Sequence, residues 1–355
     1  MQTERHFSSL RTLVIMGLLF CASLMGASKP LSADPSAVIL MYHRFGENDY
    51  PSTNIQLDQF RNHIAELKKD KYQFLPLREI VRRLKNHEDL PSHTIAITVD
   101  DAYKSFQTHG WPILKEAGIP VTLFVSTGAV DAGHPNYLSW DDIRTLQNEG
   151  VQIEHHGKDH LHMVHAGTNK AAIDIKAASD RFQAEIGRVP TLFAYPYGEY
   201  SQDIASLVAD MGFEGAFAQF SSVASFSSQT FALPRFPINE RYGDMDRLRL
   251  IANSQALPVS DITPANPVLT ETTNPPLFGF TVDVPVEGLK NLACYPSHLG
   301  KRADIVSLNG GNRIEVRFEK PFPAGRSRIN CTLPGKNGRW YWLGQYFLVT
   351  GGALD

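Results

Sequence analysis

The sequence lacks the features that mark several large classes of protein. Its 355 residues contain no basic block and the formal net charge is −3, so nucleic acid is not an expected partner. We find no internal repeat and no heptad array, which excludes repeat proteins and long coiled coils. The composition, 43% hydrophobic and 20% charged, is instead that of a globular protein with a large core.

The N-terminal apolar run is too short for a membrane span, which needs ~20 residues. This run, LVIMGLLFCASLMGA, follows two arginines and precedes small residues, the pattern of a secretory signal peptide. We assign residues 1–33 to the signal, with cleavage after Ala27 or Ala33. The mature protein is then expected in the periplasm or outside the cell, without a membrane span. An uncleaved membrane anchor is the alternative.

Cysteine is scarce. Of three cysteines, Cys21 lies in the predicted signal peptide, so only Cys294 and Cys331 remain in the mature chain. An exported protein meets an oxidising compartment, where such a pair tends to form a disulfide. We therefore predict this bridge, with two buried free thiols as the alternative.

Residues 37–256 alternate short apolar runs with amphipathic helical stretches. Strand and helix in turn are typical of a mainly parallel sheet, and about eight strands over this length favour a (β/α) barrel, complete or incomplete. An open doubly wound sheet is the alternative. Four glycines fall at predicted helix ends, where a left-handed cap is wanted: Gly118, Gly150, Gly187 and Gly212.

The pattern changes after the predicted barrel. Prolines and threonines fill residues 257–276, which we predict to be a linker. Short strand candidates follow over residues 277–355, as in a small all-β, sandwich-like domain. Trp340 and Trp342 lie on one face of a strand there and are expected to pack in a core, stacking on sugars being the alternative.

Polar residues collect at the ends of four predicted strands. His43 follows AVILMY, Asp100 and Asp101 end TIAITVDD, and YPYG follows TLFA. The fourth strand, VQIE, runs into HHGKDHLHMVH. Active sites of parallel barrels and sheets lie at the carboxyl ends of strands, so these groups could meet at one mouth. The simpler interpretations are helix capping by the aspartates and an exposed histidine-rich loop.

A metal site would explain this combination. His156 and His160 are four residues apart, a spacing that can present two imidazoles to one ion. Two histidines and one carboxylate make a site with open positions, as in catalytic metal centres. A second aspartate could then act as base on a water activated by the metal. His43 is a candidate acid for a departing amine, or else a structural histidine.

Three motifs resemble a known family. TVDDAY, HGKDH and AYPYG, in this order, are similar to the signature motifs of the polysaccharide deacetylases of carbohydrate esterase family 4, the NodB-homology group. By position, the resemblance implies Asp100 as base, a metal triad of Asp101, His156 and His160, and Tyr197 as oxyanion donor through its backbone N–H. It also implies a distorted (β/α) barrel that hydrolyses acetyl groups on glycans. His155 could replace His156 if the loop were shifted by one residue.

Two departures from the family pattern indicate a branch. Ala194 stands where the family usually has an arginine that holds the base, and Arg235 is a candidate replacement, unless it is a surface arginine. The late Leu-x-His motif, which usually supplies the acid, is absent. Both departures and the early LMYHRF resemble the deacetylases of poly-β-1,6-N-acetylglucosamine systems, in which a histidine at the position of His43 is the acid.

We therefore predict a metal-dependent N-deacetylase of an N-acetylglucosamine-containing polysaccharide. Zinc is the expected metal from the His–His–carboxylate set, with nickel, cobalt or iron as alternatives. The rival functions are an O-acetyl esterase on a glycan such as xylan and a non-catalytic glycan-binding protein.

Overall fold

The structure, a computed structural model, describes residue 2 and residues 33–351. The predicted signal peptide therefore lies almost entirely outside the described residues. Residues 33–351 belong to one compact unit. Within this part of the chain, no helix combines the length and hydropathy needed to cross a membrane.

A nine-stranded, curled half-barrel sheet forms the first part of the unit. Its strands are β1 Ser36–Tyr42, β2 Gln73–Phe74, β3 Thr94–Asp100, β4 Val121–Val125, β5 Gln152–His155, β6 Leu192–Ala194, β7 Gly215–Phe217, β8 Ala224–Ser225 and β9 Phe236–Pro237. The main path runs β7-β6-β5-β4-β3-β1-β8, while β9 pairs with β1 and β2 pairs with β3. All pairings are parallel except that of β8 with β1. The distorted barrel predicted from the sequence is confirmed.

Helices connect these strands and cover the sheet. They are α1 Leu57–Leu67, α2 Leu77–Lys85, α3 Trp111–Ala117, α4 Thr127–Asp131, α5 Trp140–Asn148, α6 Met163–Ala166, α7 Thr168–Ile186, α8 Gln202–Asp210 and α9 Met245–Ala252. Strands β1 and β3 are buried along their whole length, as expected for parallel strands covered on both faces. All four predicted helix-end glycines have positive φ.

Two more sheets form the C-terminal region. Their strands are β10 Gln255–Ala256, β11 Val259–Thr263, β12 Val268–Leu269, β13 Phe278–Val282, β14 Ala293–Pro296, β15 Asp304–Leu308, β16 Arg313–Arg317, β17 Gly325–Pro334 and β18 Trp340–Val349. One sheet has the order β10-β18-β17-β14, with β12 also on β18, and the other has the order β11-β13-β16-β15. Phe278 and Phe347, one from each sheet, meet in a shared core, with ring centroids 5.9 Å apart.

The segment 257–276, predicted to be a linker, contains two strands, β11 and β12. Its prolines exclude a helix, but they do not exclude strands at the edge of a sheet. Strand β11 is such an edge strand, flanked by Pro258 and Pro264. The domain boundaries at residues 257 and 277 stay predictions.

The C-terminal sheets pack directly on the barrel. Trp342 of β18 meets Phe236 of β9 edge to face, with ring centroids 5.2 Å apart, and its indole N–H lies 3.1 Å from the carbonyl oxygen of Ser221. This tryptophan therefore serves packing, as expected. The predicted disulfide between Cys294 and Cys331 is confirmed, and it joins directly opposed residues of β14 and β17.

Candidate metal centre and its surroundings

Three of the predicted site residues converge at the carboxyl end of the barrel sheet. Asp101 follows β3, whereas His156 and His160 lie in the loop after β5. Their ligand atoms all lie within 4.8 Å of one another. The Nε2 atoms of His156 and His160 approach the same oxygen, Asp101 Oδ1, at 3.2 and 3.3 Å. The two imidazoles and the carboxylate are therefore directed at one point, which we call the focus of the site.

The tautomer of His156 shows why a cation fits this focus. Its Nδ1 donates a hydrogen bond of 2.7 Å to the carbonyl oxygen of Ala194, which can only accept. In a neutral ring, Nε2 then carries a lone pair directed at a carboxylate oxygen, and two lone pairs repel. A proton or a metal ion has to lie between them. The donor set of two imidazoles and one carboxylate is that of an open divalent site, so the residues fit a catalytic metal.

Asp100 lies beside this triad as a second buried carboxylate. Arg235 binds it with two parallel hydrogen bonds, from Nη1 to Oδ1 at 2.7 Å and from Nη2 to Oδ2 at 2.8 Å. Burial acts to raise the pKa of Asp100, but the charge and hydrogen bonds of Arg235, together with the charges of His156 and His43, outweigh burial, and the pKa is lowered. Asp100 is therefore an ionised carboxylate at neutral pH. Arg235, the candidate replacement for the arginine that is missing at position 194, is thus in contact with Asp100.

His43 directly follows β1 at the same end of the sheet and is partly exposed. Desolvation lowers its pKa, and the negative charges of Asp101 and Asp100 oppose this shift without cancelling it. Because both aspartates act on it electrostatically, the ring belongs to the same charged cluster. It is neutral at neutral pH.

Tyr197 occupies a short turn after β6, with φ 58° and ψ 0°. Its ring stacks on His162 at a centroid distance of 3.7 Å and meets His160 edge on at 4.4 Å. Asp101 and His160 also have positive φ, at 75° and 50°. Non-glycine residues in this region cost energy and concentrate at functional sites, so the backbone here is held for the geometry of its side chains and N–H groups.

His155 is excluded as a metal ligand. It is fully buried, its Nδ1 accepts from the N–H of Gly157, and its Nε2 donates to the carbonyl of Ile175. Burial lowers its pKa to about 3. It is a neutral core histidine that holds the start of the loop. His162 contacts Glu199 through Nδ1 at 2.9 Å, and its neighbour His165 is exposed.

Asp174, which the sequence did not single out, holds the loop that carries the two histidines. It projects from α7 and accepts two hydrogen bonds of 2.8 Å, from the N–H groups of Lys158 and Asp159. These N–H groups belong to the loop between His156 and His160. The signal available in the sequence is its position within the apolar stripe of α7, where Ala171, Ile175 and Ala178 are also buried. A carboxylate in such a stripe needs a polar partner.

Comparisons with known proteins place part of this chain beside polysaccharide deacetylases. A family model described as polysaccharide deacetylase matches residues 87–216. The poly-β-1,6-N-acetyl-D-glucosamine N-deacetylase of Staphylococcus epidermidis is 24% identical over 231 residues, covering 58% of this chain and 79% of the relative.

Two solved structures share the barrel fold. The Streptococcus pyogenes deacetylase PplD, in complex with acetate, has a TM-score of 0.56 at 22% identity and covers 60% of this chain and 96% of that one. IcaB from Ammonifex degensii has a TM-score of 0.53 at 21% identity, and the match covers 61% of this chain and 97% of that one. The family model spans Asp100 through Tyr197, whereas His43 and Arg235 lie outside it.

Proposed function

We propose that this protein, whose residues 87–216 match the polysaccharide deacetylase family, is a metal-dependent N-deacetylase of an N-acetylglucosamine-containing polysaccharide. The observation that carries the proposal is the convergence of Asp101, His156 and His160 on one focus, with the ionised carboxylate of Asp100 beside it. The polymer named for the staphylococcal relative, poly-β-1,6-N-acetylglucosamine, is the first substrate to test.

In this mechanism Asp101, His156 and His160 would hold a divalent cation, with zinc expected from the ligand types. Such a cation, when bound, would lower the pKa of a water molecule and polarise the acetyl carbonyl. Asp100 accepts the proton of the attacking water, and Arg235 keeps this carboxylate ionised and fixed in orientation. The backbone N–H of Tyr197 donates to the developing oxyanion.

His43 is proposed to protonate the leaving amine. An amine leaves poorly unless it is protonated, so amide hydrolysis needs an acid at this step. The lowered pKa of His43 means that its ring is neutral in the resting protein, so during turnover it takes up the proton that Asp100 removed from the water and passes it to the amine. Once protonated, a ring of low pKa is a strong donor.

The test is acetate release from a panel of acetylated glycans by zinc-loaded protein. We expect acetate from β-1,6-linked N-acetylglucosamine oligomers, and none after dialysis against a chelator or in Asp100→Asn. Asp141→Asn is the matched control, because this carboxylate is exposed on α5 and pairs there with Arg144. Acetate from acetylated xylan alone would assign an O-acetyl esterase. If the zinc-bound protein released no acetate from any glycan, a non-catalytic glycan-binding function would be assigned instead.

A further inference from the structure

One strand of the C-terminal region, β17, uses its two faces for different purposes. Ser327, Ile329 and Cys331 are buried on one face, as strand alternation requires for residues that face a core. Arg326 and Arg328 lie on the other face, and both side chains reach the barrel. The charged face of β17 is therefore directed at the end of the barrel that carries the metal centre.

Arg326 contacts the turn that carries Tyr197. Its Nη1 donates a hydrogen bond of 3.2 Å to the carbonyl oxygen of Tyr197, and its guanidinium carbon lies 5.8 Å from the centre of the tyrosine ring. Its Nε lies 3.7 Å from a carboxylate oxygen of Glu199, which is buried and is also in contact with His162. One guanidinium thus bridges the backbone and the side chains of a single turn.

Arg328 secures the loop that supports this turn. Its Nε donates to the carbonyl oxygen of Gln219 at 3.1 Å. Gln219 packs against Gly198 so closely that a Cβ added to the glycine would lie 2.1 Å from the Cβ of Gln219. The turn with positive φ at Tyr197 and Gly198 is therefore enclosed between Gln219 on one side and Arg326 on the other.

We propose that Arg326 is a positioning residue for deacetylation, and that the C-terminal β region completes the active site rather than serving only as an attached module. Arg326 holds the Tyr197 turn so that its backbone N–H points at the oxyanion, and Arg328 supports it through Gln219. This inference rests on the proposed function, because it assigns a task within the same reaction.

The test compares Arg326→Ala and Arg326→Lys with Arg317→Ala in zinc-loaded protein. Arg317 is a half-exposed arginine of β16 that binds Glu315, so its loss leaves the barrel untouched. A displacement of about 1 Å at a reacting group can cost 10²-fold in rate, so we expect Arg326→Ala to lower kcat about 10- to 100-fold. KM should change less than about twofold, since the oxyanion exists only in the transition state.

Two further readouts separate positioning from a general structural role. Added guanidinium should restore part of the kcat of Arg326→Ala, and Arg326→Lys should keep part of it. Acetyl ester and amide substrates should lose rate by the same factor, because both form an oxyanion. An unchanged kcat in folded, zinc-binding Arg326→Ala would overturn the inference, as would an equal loss in Arg317→Ala. Inactive wild-type protein would instead refute the proposed function itself.

Discussion

Arg235 and Asp100 form a buried, doubly hydrogen-bonded ion pair at the centre of the site, although 135 residues separate them in the sequence. The guanidinium is fully buried and lies 5.3 Å from the centre of the Phe124 ring. Taking both charges out of water is costly, and a pair of this kind is kept only when each partner satisfies the other. The two residues therefore act as a unit.

The first prediction concerns this unit. Arg235→Met leaves a buried, uncompensated carboxylate and should lower the free energy of unfolding by about 3–5 kcal/mol. The double variant Asp100→Asn/Arg235→Met should recover most of that loss and remain inactive. Chemical denaturation of the single and double variants measures both effects. A double variant no more stable than Arg235→Met would contradict the pairing.

The second prediction follows from the lowered pKa of Asp100. Burial acts to raise this pKa, but Arg235, His156 and His43 together lower it by more, so the base stays ionised as the solution becomes acidic. The stability that this pair contributes is present above the unfolded pKa, about 3.9, and is lost as pH falls through the folded value. In folded Arg235→Gln the pKa of Asp100 rises, so the acid limb of kcat/KM should move to higher pH. An acid limb at the wild-type position would refute the role of Arg235.

The third prediction separates amide from ester chemistry. His43→Ala should lower the rate of N-acetyl hydrolysis about 10²- to 10⁴-fold, because the amine then leaves without a positioned acid. Hydrolysis of an acetyl ester such as 4-nitrophenyl acetate should fall far less, since its leaving group needs no proton. His165→Ala, at an exposed histidine of α6, is the control. Equal losses on both substrates would remove His43 as the acid.

The fourth prediction concerns the support of the metal loop. Asp174→Ala releases the N–H groups of Lys158 and Asp159 and should weaken zinc binding about 10- to 100-fold, as loss of an outer-shell partner does. Asp180→Ala, on the same helix but paired with Lys176 at the surface, should bind zinc as wild type does. Competition with a chromophoric chelator measures both affinities. Unchanged affinity in Asp174→Ala would show that the loop holds its shape without this contact.

The sequence predicts the main elements of the site because strand ends are local features. An apolar strand followed at once by Asp100 and Asp101, and another followed by His156, can be read without knowing which strands pair. Parallel topology then brings those ends together. The barrel and its helix ends are predictable for the same reason, because hydrophobic periodicity and helix-capping residues are also local features of the sequence.

Other contacts join residues that are far apart in the sequence, and such packing cannot be predicted from one sequence alone. Arg235 is a candidate partner for Asp100 only by its place after a late strand. Nothing marks Arg326 as a neighbour of Tyr197, because that contact needs the C-terminal sheet to dock on the barrel. We did not predict the strands within residues 257–276, because the prolines of this segment indicate a linker. An edge strand can nevertheless contain or adjoin proline when it pairs with a neighbouring strand.

The central claim is that Asp101, His156 and His160 bind one divalent ion, and X-ray diffraction from zinc-loaded crystals at the zinc absorption edge tests it most directly. We expect one strong anomalous peak, with both Nε2 atoms at about 2.0–2.1 Å and an Asp101 oxygen at about 2.0–2.2 Å from the ion. A fully loaded crystal with no peak there, or with its peak on other histidines, would contradict it.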